Sequence, residues 1–113
     1  MEIQVKFSKG VAVVSIVGDM DTNGAQELDH VFKKLFQEQY VRIVADLQGL
    51  AYTSSAGLRA LIGGVREARQ LDGDLRLASV QPEVNKVLDF TGFISVLKIY
   101  DDIASAVDSF EQE

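Results

Sequence analysis

The stretch from Asp46 to Leu61 leaves the chain little choice of fold. Just ahead of it, Val41, Ile43, Val44 and Ala45 make a short apolar run of strand length, and towards its end and beyond, Leu58, Leu61, Ile62, Val65 and Ala68 recur at helical spacing. The stretch therefore reads as a strand, a loop and a helix start. Thr53, Ser54 and Ser55 crowd the point where the helix begins. Hydroxyl oxygens there can accept hydrogen bonds from unpaired backbone N–H groups, and a helix N-terminus with three hydroxyls also suits an anion.

The rest of the chain supplies partners for that unit. Ile3, Val5 and Phe7 alternate with polar residues, as in a strand with one wet face. Ser8-Lys9-Gly10 turns the chain into Val11 to Val17, a nearly continuous apolar run ended by Gly18, so the two strands should form an antiparallel hairpin. Capping residues from Asp19 to Asn23 precede a helical stripe of Ala25, Leu28, Phe32, Leu35 and Phe36, which leaves His30 on the solvent side. After the central helix, closed by Asp72-Gly73, a strand carries Leu75, Leu77 and Ser79 opposite Asp74, Arg76 and Ala78. Pro82 opens a short helix with Val84, Val87 and Leu88 that Gly92 closes; Val96 to Tyr100 reads as a last strand, and Asp101 or Asp102 caps a final helix. Alternating strands and helices make the later strands parallel. The expected fold class is α/β, one domain over residues 1–113, with a mostly parallel sheet of about five strands, an N-terminal antiparallel hairpin and the larger helices mainly on one face.

Composition narrows the function. A chain of 113 residues can bury roughly 65% of the surface its unfolded form exposes. It contains no cysteine, so disulfides and thiolate metal sites are excluded. The formal charge of −6 argues against nucleic acid as a partner. The alternating start is unlike a signal peptide, and no apolar run reaches membrane-spanning length, so a cytoplasmic protein with no membrane partner is expected.

The spacing Asp46-Leu47-x-Gly49, followed by Ser55-x-Gly57-Leu58, resembles the signature of STAS domains, the family that includes bacterial anti-sigma factor antagonists. The ends of the second strand and of the chain resemble the family too, so the likeness spans nearly the whole sequence. Family members commonly read Asp-Ser-Ser-Gly-Leu at the loop; here Ser54 stands in place of the aspartate and Ala56 in place of the second serine, a Ser-Ala-Gly-Leu variant that related members share. The resemblance implies that Ser55 is a phosphoacceptor, with Asp19, Asp21, Thr53, Ser54, Ala56, Gly57 and Arg59 on the surrounding partner-binding surface. Chemistry alone does not separate Ser54 from Ser55; the match to the family selects Ser55. It further implies an anti-sigma factor that is also a serine protein kinase as partner when Ser55 is unphosphorylated, release of a sigma factor, and a phosphatase that restores the binding form. The alternatives are a STAS scaffold or sensor subunit of a signalling assembly that is not phosphorylated, and a receptor for a small ligand or nucleotide at the strand-end loops.

Read as bare residues, the three hydroxyls need be no more than a helix cap. Asp46 should organise its turn, with Gly49, by accepting backbone N–H groups. Asp19, Asp21 and Asp46 could in principle hold Mg²⁺, but capping explains Asp21 more simply, and no metal or cofactor is expected. Arg59, Gly63, Arg66 and Gln70 form one outward stripe of the central helix. Gly63 and Gly64 each cost ~1 kcal/mol relative to alanine, which close packing on the sheet, or a partner's close approach, would offset. An enzyme is not expected: the only histidine lies on a solvent face, and no nucleophile elbow, Walker sequence or dinucleotide fingerprint is present.

Overall fold

Strands β1 (Glu2–Ser8) and β2 (Val11–Met20) pair antiparallel from Glu2↔Val17 to Ser8↔Val11. Lys9 and Gly10 between them both have positive φ, 53° and 78°, the two-residue turn whose twist matches a right-handed sheet. The computed structural model, which describes residues 1–112, then alternates helix and strand: α1 (Thr22–Gln37), β3 (Arg42–Asp46), β4 (Leu50–Thr53), α2 (Ser55–Gln70), β5 (Asp74–Ala78), α3 (Pro82–Thr91), a 3-10 turn (Phe93–Val96), β6 (Ile99–Tyr100), α4 (Ile103–Ser109) and a closing 3-10 turn (Phe110–Gln112). The sheet order is β1-β2-β3-β5-β6, with β4 paired to the far half of β2, and every pairing after the hairpin is parallel.

Helices α1, α2 and α3 cover one face. Leu28, Phe32, Leu61, Val65, Val84 and Leu88 close there over Val14, Ile16, Ile43, Leu75 and Leu77. Each fully buried side chain of this size contributes ~1.5–3 kcal/mol through apolar burial. On the other face α4 and the start of the closing 3-10 turn lay Ala106, Val107 and Phe110 over Val11, Val13, Val44 and Ala78. Among the described residues no helix is long and apolar enough to cross a membrane.

Several local expectations are corrected. Leu50–Thr53, expected as loop, is β4, which makes the sheet six-stranded. Gly18 does not end β2. At φ 108° it makes a bulge, and the strand continues to Met20 while changing partner from β3 to β4. Val96, the first residue of what reads as the last strand, instead closes a 3-10 turn that starts at Phe93, held where Gly92 reverses the chain at φ 78° and Ser95 Oγ–H donates to the Gly92 carbonyl at 3.2 Å. Only Ile99 and Tyr100 pair with β5. Val5 and Phe7 stay exposed on the edge strand β1, in an open depression shared with Val31 and Lys34 of α1 and its C-cap Glu38, although the Phe7 ring leans on Tyr40 at 4.7 Å. Val17 and Val87 are exposed as well.

The polar side of β5 is not wet. Arg76 is 1% exposed under α4: its Nε–H donates to Asp74 Oδ2 (3.1 Å), Nη1 to Ser109 Oγ (2.7 Å), and the guanidinium lies 3.9 Å from the centroid of the Phe110 ring. Asp74 also accepts from Arg69 Nε of α2 at 2.9 Å. A buried guanidinium with these partners ties α4 to the sheet in one register. At the hairpin tip Lys9 donates to Asp108 (2.9 Å) and pairs with Glu111 (3.6 Å). The hydrogen bond to Asp108, then its charge and that of Glu111, hold the Lys9 pKa above its ordinary value.

Candidate functional site

The bulge in β2 places two helix starts side by side. Met20 registers with Thr53 across β2 and β4, and Ser54 N–H donates to the Met20 carbonyl at 2.8 Å. One residue beyond the pair on each strand stands an N-cap. Asp21 Oδ1 accepts from Gly24 N–H (2.8 Å) at the start of α1, and Ser54 Oγ accepts from Gly57 N–H (3.1 Å) at the start of α2. Gly57 is required by space: a Cβ there would run into Thr53 Oγ1 and come within 2.8 Å of Met20 Cε. Gly49 is fixed by the same kind of constraint, since its Cβ would lie 2.8 Å from Val17 Cγ2, and its carbonyl accepts from Gly18 N–H at 2.8 Å.

The three hydroxyls then separate. Thr53 is buried and donates to the Ser54 carbonyl at 3.1 Å. Ser54 is half-buried and its oxygen serves as the cap. Ser55 is the first residue of α2, exposed, and its hydroxyl has no hydrogen-bond partner among the described residues. A negative group on that oxygen would meet the positive end of the helix dipole, worth ~0.3–1 kcal/mol.

Around this point, Asp46 accepts from Ser15 Oγ–H (2.9 Å) and from Gln48 N–H (3.1 Å), which closes the turn after β3. Asp19 is exposed in β2, registered with Tyr52 of β4. Among the described residues no group of three or more carboxylate or imidazole side chains could hold a metal ion. Ala56 and Arg59 line a shallow groove between α1 and α2 with Thr22, Gln26, Asp29 and His30. His30 is exposed there.

A second groove, of about 560 Å³, runs along the other flank of α2. Ser55 lies in it with Leu58, Arg59, Ile62, Gly63, Arg66 and, across the gap, Phe93. It continues past Arg66 into a depression of about 330 Å³ reaching Arg69 and Val96. The two helix glycines differ here. A Cβ on Gly64 would lie 2.7 Å from the Phe32 ring and 2.9 Å from Leu75 Cδ1, whereas one on Gly63 would meet nothing within 4 Å. Packing on the sheet thus accounts for Gly64 and not for Gly63. Sequence reading also missed Phe90, 94% exposed and one residue before Thr91, which lines the groove as Phe93 does. The only signal was a pair of phenylalanines flanking a Thr-Gly turn.

The sequence profile of the STAS domain matches residues 2–106. The chain is similar to an anti-sigma F factor antagonist of Paenibacillus polymyxa, 26% identical over 112 residues, covering 98% of this chain and 96% of that one. Among solved structures it overlays on the Thermotoga maritima protein TM1081 with a TM-score of 0.89 at 21% identity, over 95% of this chain and 92% of that one. It overlays with a TM-score of 0.78 both on unphosphorylated SpoIIAA, an anti-sigma factor antagonist (19% identity, 97% of this chain and 98% of that one), and on the phosphorylated Bacillus protein (20%, 96% and 99%).

Proposed function

The chain belongs to the STAS domain family, and on that premise we propose that it is a phosphorylation-controlled binding module, an anti-sigma factor antagonist switched at Ser55. Unphosphorylated, it engages an anti-sigma factor that is itself a serine protein kinase and so frees a sigma factor. The kinase supplies ATP and Mg²⁺, this chain supplies a hydroxyl, and a phosphatase resets the system. The observation that carries the reading is the division of labour at the α2 start: Thr53 and Ser54 use their hydroxyls to build the turn, while the Ser55 oxygen is uncommitted and in solvent. Support also comes from the curated relatives named as anti-sigma factor antagonists and from the likeness to SpoIIAA in both of its phosphorylation forms.

A phosphate adds about −1.5 to −2 charges. At the N-terminus of α2 those charges are stabilised by the dipole, so the fold stays intact. In a docked complex a like-charge contact costs several kcal/mol, so the effect falls on binding. Asp19, Asp21, Ala56 and Arg59, which surround the two helix starts, form the partner surface in this reading. Site-resolved mass spectrometry of the protein from its own cells, before and after phosphatase, tests the acceptor. Phosphate on Ser55 that the phosphatase removes is the expected result, and phosphate on Ser54 or none under any growth condition overturns it. In binding assays Ser55→Ala should hold the anti-sigma factor and Ser55→Asp should release it; equal affinities sink the switch.

A further inference from the structure

We propose that the groove between α2 and the segment from α3 to the Phe93–Val96 turn docks an acidic amphipathic helix of the partner protein, with Phe90 covered at its lip. The inference rests on the binding-module reading and gives the partner's contact segment a chemistry. Its first support is charge. The chain carries a formal −6, yet Arg59 and Arg66 stand on this groove and Arg69 on its continuation, and no acidic side chain is among the described residues that line either part. Arg69 and Arg76 are both engaged by Asp74, whereas Arg59 and Arg66 have neither an ion pair nor a hydrogen bond among the described residues. Two free guanidinium groups over an apolar floor of Leu58, Ile62 and Phe93 ask for a ligand with an apolar body and carboxylates.

Shape narrows the ligand to a helix. Arg59 and Arg66 are seven residues, two turns, apart on α2, ~10.5 Å along its axis. That separation matches two carboxylates seven residues apart on a helix laid alongside. Gly63, between them, has open space where a side chain would be, so a neighbouring axis can come closer than the usual 8–10 Å or so. Phe90 lies outside the groove lining, so a small molecule filling the groove would leave it in water, while a protein surface would cover it. Aromatic residues and arginine are also the types that carry protein interfaces. The net negative charge repels an anionic membrane. Ser55 stands at one end of the groove. A phosphate there sets an anion against the acidic helix and offers Arg59, one turn along the same face, a partner within the chain.

The test places p-benzoylphenylalanine at Phe90 in the protein's own cells, irradiates, and maps the cross-linked peptide. Expected is one segment of one protein with apolar residues at helical spacing and two carboxylates seven apart. A basic segment, a second copy of this chain, lipid, or no cross-link overturns the proposal. With that protein in hand, the Arg59→Glu, Arg66→Glu double variant should lose at least ~10-fold in affinity and recover when the partner's two carboxylates are changed to arginine. Gly63→Leu should lose a similar factor without a lower melting temperature. Affinities unchanged within twofold overturn the groove even if an anti-sigma factor binds. An acidic helix cross-linked from some other protein overturns the anti-sigma reading and leaves the groove standing.

Discussion

Gly63 and Gly64 are neighbours on α2 and answer to different surroundings. The line through Gly57, Leu61, Gly64, Val65 and Ala68 faces the sheet and α1, where a single added carbon collides with the Phe32 ring or with Thr53. The line through Ser55, Arg59, Gly63 and Arg66 faces a groove, and a carbon added at Gly63 would meet nothing within 4 Å. One helix is therefore built by packing on one side and left unfinished on the other. Sequence chemistry alone makes both glycines look like the same ~1 kcal/mol defect; the sign of their replacement tells them apart.

The sharpest way to break the contrast is Gly64→Ala, which should cost ~1–3 kcal/mol through overpacking against Phe32 and Leu75. A fall of several degrees in melting temperature is the readout, and an unchanged value would mean that the inner side has slack. Next comes Ser54→Ala, expected to lose ~1 kcal/mol with the α2 cap, while Ser55→Ala stays within about ±0.5 kcal/mol. Equal losses would erase the distinction between the two serines. Gly63→Ala should move the other way, a gain of ~0.5–1 kcal/mol by chemical denaturation; a loss would show that the outer side is not open. The smallest effect concerns a cap that titrates. Asp102 accepts from Ser105 N–H at 2.7 Å, and that backbone bond holds its pKa below the ordinary carboxylate value. Its contribution is complete above the unfolded-state pKa and is lost as pH falls through the lower folded value. Acidification should thus lower the protection of the Ser105 amide in α4, relative to its intrinsic exchange rate at each pH, before that of Gly57, whose cap is a serine with no charge to lose.

Much of the fold was legible because period is a strong signal. The hairpin, the buried stripe of α1, the parallel crossovers and the αL turn at Gly92 all follow from side-chain spacing and from residue types with narrow backbone preferences. What failed depends on the third dimension. Gly18 looks like a stop, and only pairing with a segment about thirty residues away turns it into a bulge. Asp74 and Arg76 alternate with leucines as a wet face would, and only α4, arriving from the chain's far end, makes that face dry. At the site, the residue types around Ser55 were visible in the sequence. The assignment of each hydroxyl was not, because it rests on a few ångströms of turn geometry. The groove was invisible for a similar reason: Phe93 and Arg66 meet across it only after α3 has packed.

The handover of β2 from β3 to β4 also bears on the order of assembly. The hairpin closes with the shortest chain separation in the sheet and can form early. The pairing of Gly18 with Leu50 must wait for α1 and β3 to be placed, and it seats a strand of four residues on which the start of α2 depends. The Ser55 end of α2 should therefore be the last part of the central layer to lock during refolding and the first to open in the native state. Anything that needs this segment extended would reach it by local opening rather than by unfolding of the whole domain.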